Sequence, residues 1–361
     1  MKKSRSTSRR NKSWRTLLVA VLVFLSLIAL GVFGLWRYML TMTVQVPSQG
    51  MVFEVAPGVP IQRVARDLES AGVLPSSLWL RAYVRLNPEV NHFRAGEYLL
   101  EPGLTLPQLI KRFVDGKILD YPIQFVEGWT FADALQELAR HSKLLRKTEG
   151  QSPQEIMAAL GRPDSHPEGL FFPDTYRYHK GMSDIDVLTI AMQRMDWVLN
   201  QEWPKRQEGL PIKSPYEALI LASIIEKETG VAHERGKIAG VFVRRLEKGM
   251  RLQTDPTVIY GLGERYAGNL TRKNLREETE YNTYRISGLP PTPIALPGRE
   301  AIHAALHPEA GNELFFVARG DGSHEFTATL AEHREAVLKY QIRERRSDYR
   351  SRPDTSTQGA P

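Results

Sequence analysis

A glutamate at the end of a long apolar run is the residue of this sequence best suited to acid–base chemistry. Residues 218–225 are all apolar or small, and Glu226 follows them on what the pattern predicts to be one buried helix. Helical spacing places Glu226 beside Ser223, Ala222 and Leu219. Because burial disfavours the charged form of a carboxyl, we expect Glu226 to have the raised pKa that a general acid needs at neutral pH.

A structural role for Glu226 is the alternative. A buried carboxylate is also found where it pairs with an arginine, and Arg244 or Arg245 on the next predicted helix would be that partner. Position alone does not separate the two roles. Glu228 lies about 200° around the helix from Glu226, and we expect it to be solvated beside Lys227.

The helix that carries Glu226 has recognisable ends. Ser214 suits the N-cap, Pro215 suits the first helical position, and Glu217 completes a capping box three residues after the cap. The helix is predicted to end at Gly230, a favoured C-terminal residue. A second helix is predicted to run to about Lys248.

Polar and aromatic side chains follow this second helix, and we expect them in turns. A rigid framework can present such residues to a ligand, and sugars are bound by mixtures of aromatic faces and hydrogen-bonding groups. For each residue, turn formation alone is the alternative, and the Asp255-Pro256 pair illustrates it. The candidate substrate-binding residues are Gln253, Thr254, Asp255, Tyr260, Tyr281, Asn282 and Tyr284.

The sequence predicts neither a metal nor another cofactor. It contains no cysteine, which excludes disulfides and thiolate ligands. The nine histidines are scattered, and no HExxH motif occurs, because His233-Glu234 lacks a second histidine at the required spacing.

The net charge of +7 is confined to the N-terminus. Residues 1–37 hold eight of the 48 basic residues and no acidic one, so the rest of the chain has 40 basic and 41 acidic residues. A nearly neutral chain lacks the electrostatic footprint of a nucleic-acid-binding protein. We therefore expect no nucleic-acid partner.

A membrane anchor follows the basic tail. Residues 17–35 are nineteen uncharged positions, close to the length that spans a bilayer, and Trp36 and Tyr38 follow as interfacial residues. The preceding positive charges predict a cytoplasmic N-terminus and an exported remainder. A cleaved signal peptide is the alternative, but Arg37 stands where small residues would be expected.

The exported part begins with a repeated pattern. Residues 52–68 and 98–114 each read as a short strand, a Pro-Gly turn and an amphipathic helix, and residues 123–139 form a weaker copy. The first two copies resemble the LysM-like fold, which recognises N-acetylglucosamine polymers. Two look-alike α+β units without a binding role are the alternative.

These patterns predict an α+β protein with one N-terminal transmembrane helix. The predicted segments are a cytoplasmic basic tail (1–16), the transmembrane helix (17–38), a LysM-like glycan-binding subdomain (44–118), a catalytic domain (120–340) and a disordered tail (342–361). Within the catalytic part, helices are predicted near 153–160 and over 184–205.

Four long motifs resemble the endolytic murein transglycosylase family, also called YceG-like. They are ASIIEKET at 222–229, MRLQTDPTVIYGLGERY at 250–266, YNTYRISGLPPTPIALPG at 281–298 and AALHP at 304–308. The resemblance covers roughly residues 50–340. It implies that the first glutamate of the EKE triplet, Glu226, is catalytic, and that a LysM-like subdomain precedes the catalytic domain.

The family resemblance implies a membrane-anchored lytic transglycosylase that cuts peptidoglycan strands, with the active domain outside the inner membrane. It also implies that the enzyme acts beside peptidoglycan synthases and terminates the elongation of nascent glycan strands. The substrate's own C6 hydroxyl would attack, so one carboxyl suffices, and Gln253 or Asn282 would hold the substrate's N-acetyl group. Two rivals are a non-catalytic peptidoglycan-binding scaffold and a hydrolase with Asp255 as second carboxylate.

Overall fold

The computed structural model describes residues 7–228 and 230–344, and the chain divides into two compact units, Met1–Asp120 and Tyr121–Pro361. Each unit combines helices with short antiparallel strand pairs. The α+β class predicted from the sequence is therefore confirmed.

The first unit opens with one long helix, α1 (Thr7–Thr41). Its segment Trp14–Thr41 contains an 18-residue window with a mean hydropathy of 2.9 and is long and apolar enough to cross a membrane. Met39, near its end, is buried in the hydrophobic core of this unit. By length and composition, α1 matches the predicted anchor.

The rest of the first unit is built from two strand–turn–helix segments, as the repeat predicts. Strand Met51–Val55 pairs antiparallel with strand Gly96–Leu100, and Phe53 lies opposite Tyr98. Both rings pack against Phe113 in the core. The LysM-like interpretation stays a prediction. The elements are β1 (Met51–Val55), α2 (Ile61–Ser70), α3 (Ser77–Leu86), β2 (Gly96–Leu100) and α4 (Leu106–Asp115).

The second unit has a larger helical core with two antiparallel strand pairs, Tyr121–Gln124 with Thr175–Tyr178 and Phe315–Ala318 with His324–Thr327. Its first elements are β3 (Tyr121–Gln124), α5 (Phe131–Arg140), α6 (Pro153–Ala159), β4 (Thr175–Tyr178), α7 (Asp184–Glu202) and α8 (Pro215–Glu228). The remaining elements are α9 (Arg235–Glu247), α10 (Asp255–Leu262), α11 (Arg272–Arg276), α12 (Arg299–Leu306), β5 (Phe315–Ala318), β6 (His324–Thr327) and α13 (Leu330–Val337).

Helix α8 runs through the centre of this unit. Every residue from Ala218 to Ile225 is buried, and the helix packs against α9 and α12. At its start, the Ser214 hydroxyl accepts a hydrogen bond from the Glu217 N–H at 3.2 Å. The Glu217 carboxylate, however, accepts from the Lys213 N–H at 2.6 Å, so the predicted capping box is only half formed.

The predicted helices of the second unit are found with small shifts. The helix predicted over 184–205 is α7 followed by a 3-10 turn at Trp203–Lys205. The predicted segment bounds of 44–118 and 120–340 stay predictions. The predicted disordered tail lies beyond residue 344 for most of its length, and there it falls outside the described residues, as do residues 1–6 of the basic tail.

Candidate active site

Glu226 lies in the last turn of α8 with its side chain 6% exposed. The N–H of Gly298, the residue before α12, donates a hydrogen bond to Oε2 at 3.0 Å. Nη2 of Arg235, the first residue of α9, lies 3.7 Å from Oε1. Among the described residues no group donates a hydrogen bond to Oε1, so this oxygen is available to hold or receive a proton.

The two arginines proposed from the sequence as partners of Glu226 bind elsewhere. Arg244 pairs with the Glu313 carboxylate at 3.1 Å. Arg245 donates to the carbonyl oxygens of Leu314 and Leu252, both at 2.6 Å. Neither of these arginines is therefore the partner that the alternative structural role would require, because their side chains leave α9 toward the strand β5 region and the 252 loop.

The electrostatic surroundings of Glu226 favour its neutral form. Burial raises the pKa of its carboxyl, the Gly298 N–H lowers it, and the nearby Glu127 carboxylate raises it. Arg235 and Lys227 lower the pKa by smaller amounts, and the net shift is upward. This agrees with the acid–base role expected from the sequence.

Glu127 is the second carboxylate of this site, and the sequence did not single it out for chemistry. Its carboxylate lies against Gly298, so that a Cβ placed on this glycine would come within 1.9 Å of Glu127 Oε1. Glu127 belongs to the turn between β3 and α5, about 100 positions before Glu226. No local pattern indicates an approach over such a separation.

The other two charged residues of the EKE triplet, Lys227 and Glu228, form hydrogen bonds with different segments of the chain. Lys227 Nζ donates to the Gly128 carbonyl oxygen at 3.0 Å. The Glu228 carboxylate accepts a hydrogen bond from the Thr254 hydroxyl. The expectation that Glu228 is merely solvated is therefore wrong, because Thr254 reaches it from the start of α10.

A cleft of about 1000 Å³ opens beside this end of α8. Lys227 and Glu228 line it, whereas Glu226 does not. The segment 127–130 connects the two places, since Glu127 lies beside Glu226 and Thr130 lies on the cleft wall. Four of the predicted substrate-binding residues also line the cleft: Gln253, Asp255, Tyr260 and Tyr284.

Gln253 has an unusual backbone. Its φ of 52° is positive, which no other non-glycine residue shows within the described ranges. The side chain is exposed, while the neighbouring Leu252 and Thr254 are buried. Left-handed backbone at a residue with a Cβ is unfavourable and is concentrated at functional sites.

Asp255 and Tyr260 do not lie in turns, which corrects the expectation from the sequence. Both belong to α10, and Asp255-Pro256 opens that helix, since proline is well accommodated in a first helical turn. The Asp255 carboxylate accepts a hydrogen bond from the Tyr284 hydroxyl at 2.7 Å. This contact holds two of the cleft residues together.

The remaining three candidates are largely turned inward. Asn282 is 1% exposed, and its amide nitrogen donates to three carbonyl oxygens in the 274–277 segment. Thr254 is 2% exposed, and its hydroxyl donates a hydrogen bond to the Glu228 carboxylate. The Tyr281 ring packs on Tyr260 with a centroid distance of 5.0 Å. These residues shape the cleft wall from behind.

A buried carboxyl that the sequence analysis missed lies behind the cleft. Glu168 is 4% exposed and accepts hydrogen bonds from the Phe131 N–H at 3.0 Å and the Tyr260 hydroxyl at 3.1 Å. Burial raises the pKa of Glu168 to about 7. The available signal was an acidic residue two positions before the apolar run 170–172.

Metal ligation finds no support in the described part of the chain. No group of three or more histidine or acidic residues lies close enough there to hold a metal ion. His324 and Glu234 form a buried pair of two such residues, with a distance of 2.7 Å from Nδ1 to Oε2.

Fold and site together define an α+β protein with a buried carboxyl at the end of a core helix, near a cleft of about 1000 Å³. The chain belongs to the YceG-like family, which matches residues 53–339. The family resemblance noted from the sequence motifs is therefore confirmed.

Several known proteins are similar to this chain. The endolytic murein transglycosylase of Bacillus subtilis (strain 168) is 30% identical over 317 residues, covering 83% of this chain and 85% of that protein. The protein of the same name from Streptococcus pneumoniae serotype 2 (strain D39) is 24% identical over 343 residues. That match covers 84% of this chain and 61% of the longer relative.

A solved structure is also similar. The crystal structure of a yceG-like protein from Listeria monocytogenes matches with a TM-score of 0.51 and 32% sequence identity. The match covers 80% of this chain and 99% of that one. The folded part of the chain therefore corresponds to nearly all of the Listeria structure.

Proposed function

We propose that this chain is an endolytic murein transglycosylase with Glu226 as its catalytic acid and base. It would cleave the MurNAc–GlcNAc bond within peptidoglycan strands and leave 1,6-anhydro-MurNAc ends. The observation that carries the proposal is the environment of Glu226, which is 6% exposed, has one oxygen held by Gly298 N–H and keeps the other open. Family membership and the names of the relatives support the same reaction.

The reaction needs one group that first donates and then accepts a proton. Protonated Glu226 gives its proton to the glycosidic oxygen, the C1–O bond breaks, and its electron pair stays on the departing oxygen. The C6 hydroxyl of the same muramic acid then bonds to C1, and its proton passes to the Glu226 carboxylate. A raised pKa prepares the first step, and the second restores the acid.

The cleft is the proposed binding place for the glycan strand. Its volume of about 1000 Å³ and its mixture of tyrosine rings, amide and carboxylate suit a sugar polymer. Gln253 is the better of the two candidates for holding the N-acetyl group, because its side chain is exposed, whereas Asn282 is committed to its own loop. Thr254, Tyr281 and Asn282 would position the residues that touch substrate.

The location at the membrane is part of the proposal. We infer that α1 is a single-pass anchor in the inner membrane, with a cytoplasmic N-terminus and the domain 120–340 outside. The apolar span supports the anchor, and the basic residues before it support the orientation. Residues 44–118 would bind glycan as a LysM-like subdomain, and peptidoglycan synthases would be neighbours at the growing strand.

The position of Glu127 favours a second candidate function, hydrolysis of the glycosidic bond. Retaining glycosidases use a carboxyl pair, and Glu127 places a second carboxylate near Glu226. Asp255, the second carboxylate first considered, is instead bonded to Tyr284. Hydrolysis would leave reducing ends, whereas transglycosylation leaves anhydro ends, so the products distinguish the two reactions.

The decisive experiment compares Glu226→Gln with Glu217→Gln, the same exchange at the other end of α8. Purified full-length chain is incubated with peptidoglycan, and the products are identified by mass spectrometry. We expect wild type and Glu217→Gln to release anhydro-ended fragments, and Glu226→Gln to lose at least about 10²-fold in rate while it stays folded. Retained activity in folded Glu226→Gln would refute the catalytic role, and reducing-end products would favour the hydrolase.

A further inference from the structure

Arg235 differs from the other two arginines of α9 in how few hydrogen bonds and ion pairs it makes. Its side chain is 15% exposed, and its Nε is buried without a hydrogen-bond partner among the described residues. In that part of the chain its one ion pair is with Glu226, at 3.7 Å from Nη2 to Oε1. A buried cation with so few hydrogen bonds is unfavourable unless its charge serves a nearby anion.

Arg244 and Arg245 show what structural arginines look like in the same helix. Arg244 makes three hydrogen bonds, to the Glu309 carbonyl and to the carbonyl and carboxylate of Glu313. Arg245 likewise donates to three carbonyl oxygens. Both guanidinium groups tie chain segments together, and Arg235 does not.

We propose that Arg235 is a positioning residue of the glycan-cleaving reaction, whose charge stabilises the carboxylate that Glu226 becomes after donating its proton. This inference rests on the proposed function of Glu226. The distance of 3.7 Å exceeds a hydrogen bond, so Arg235 acts through its charge and leaves Oε1 open to the substrate. Oε2 is held meanwhile by the Gly298 N–H.

The charged groups that face Glu226 come from three elements and act in opposite senses. Glu127, in the turn before α5, favours the protonated acid that begins the reaction. Arg235 on α9 and the neighbouring Lys227 favour the carboxylate that follows. Lys227 is bonded to the Gly128 carbonyl, so Arg235 is the cation placed at the reactive oxygen.

The test measures kcat and kcat/KM against pH for the full-length chain in detergent, with uncross-linked peptidoglycan strands as substrate. Arg235→Gln removes the charge, Arg235→Lys keeps it, and Lys237→Gln removes an exposed charge from the same helix as the control. The alkaline limb of kcat/KM reports the pKa of the catalytic acid in the free enzyme. Arg235→Met replaces Arg235→Gln if the glutamine variant is too unstable to assay.

We expect the alkaline limb of Arg235→Gln to move up by at least about one pH unit, because an opposite charge at this distance has been removed. Its kcat should fall by about 10-fold, since a weaker acid transfers its proton less readily. Arg235→Lys should keep most of the wild-type profile, and Lys237→Gln all of it.

An unchanged alkaline limb in folded Arg235→Gln would overturn the inference, whether or not kcat falls, because loss of a merely structural contact lowers activity without moving the limb. Glu226→Gln is assayed in parallel. If that variant is inactive and the Arg235 variants leave the limb in place, only the role of Arg235 fails. If Glu226→Gln keeps wild-type activity, the proposed function itself fails.

Discussion

Gln253 combines a strained backbone with an exposed side chain at the cleft. Glycine adopts a positive φ without the steric cost of about 1–2 kcal/mol that a Cβ brings. We expect Gln253→Gly to leave the melting temperature unchanged or raised, whereas kcat/KM should fall because the proposed contact of the side chain with the glycan is lost. Thermal unfolding and the rate of anhydro-fragment release on the same preparation check this.

Gln253→Ala is the matched control, because it loses the same amide but keeps the strain. Its melting temperature should lie at or below that of wild type, and its activity should fall as in the glycine variant. Full activity in either variant would show that the strained position does not serve the substrate.

Glu168 predicts a stability that depends on pH. Its pKa is raised to about 7 in the folded chain, so its neutral form is the one that folding favours. Below its unfolded pKa both states are protonated. As pH rises toward 7, the unfolded state ionises first and stability is lost, by about 3 kcal/mol at most.

Glu168→Gln removes this titration. The melting temperature of Glu168→Gln minus that of wild type should therefore be larger at pH 8 than at pH 5. An equal difference at both pH values would contradict the argument, since it would reflect altered packing alone.

The sequence singles out Glu226 as the candidate acid because the signal is local: an acidic residue ends a buried helical run. It could not identify Arg235 as the partner instead of Arg244 or Arg245, since all three lie on one helix and only its packing decides which arginine faces α8. Glu127 and Glu168 were missed for the same reason. Their partners, Gly298 and Tyr260, are distant in sequence.

At the scale of elements, α9 shows how tightly the core helices pack. A Cβ on Gly240 would lie 2.5 Å from the Glu309 carbonyl oxygen, whereas a Cβ on Gly236 would meet nothing closer than 3.6 Å. We expect Gly240→Ala to destabilise the fold by about 1–3 kcal/mol through overpacking. Gly236→Ala should be neutral or stabilising by up to about 1 kcal/mol, because alanine favours helix.

Denaturant unfolding of the two alanine variants tests this pair. Equal stabilities would show that α9 and the 309 segment separate easily. That outcome would also weaken the account of Arg244, which bonds the same segment.

Helix ends were predictable where the signal lies within four residues. Ser183, for example, caps α7 in a complete box with Asp186. The start of α10 was not, because Asp255-Pro256 is compatible with both a turn and a first helical turn. In the structure Thr254 is the extended residue directly before the helix, and its side chain makes no capping hydrogen bond.

At the scale of the whole molecule, the charge asymmetry around α1 predicts the topology. An alkaline phosphatase reporter, active only outside the cytoplasm, should be active when fused after residue 340. A cytoplasmic reporter at the same place should be inactive. The opposite pattern would contradict the extracytoplasmic location on which the proposed reaction depends.

The first unit predicts a difference in substrate capture. Deleting residues 44–118 while keeping the anchor and residues 120–361 should reduce co-sedimentation with insoluble peptidoglycan if the predicted LysM-like subdomain binds glycan. A variant with Gln253→Ala alone tests whether the cleft contributes. Unchanged sedimentation of the deletion variant would assign residues 44–118 a spacer role.

The EKE triplet connects α8 to three separate segments through hydrogen bonds. Glu226 accepts from the Gly298 N–H, Lys227 donates to the Gly128 carbonyl oxygen and Glu228 accepts from the Thr254 hydroxyl. Successive helical residues point about 100° apart, and one inserted residue turns everything after it by that angle and advances it about 1.5 Å. A single inserted residue within 215–225 would therefore break all three hydrogen bonds at once, whereas the substitution of one apolar residue by another would break none. Alignments of distant relatives should accordingly show substitutions in this helix but no gaps.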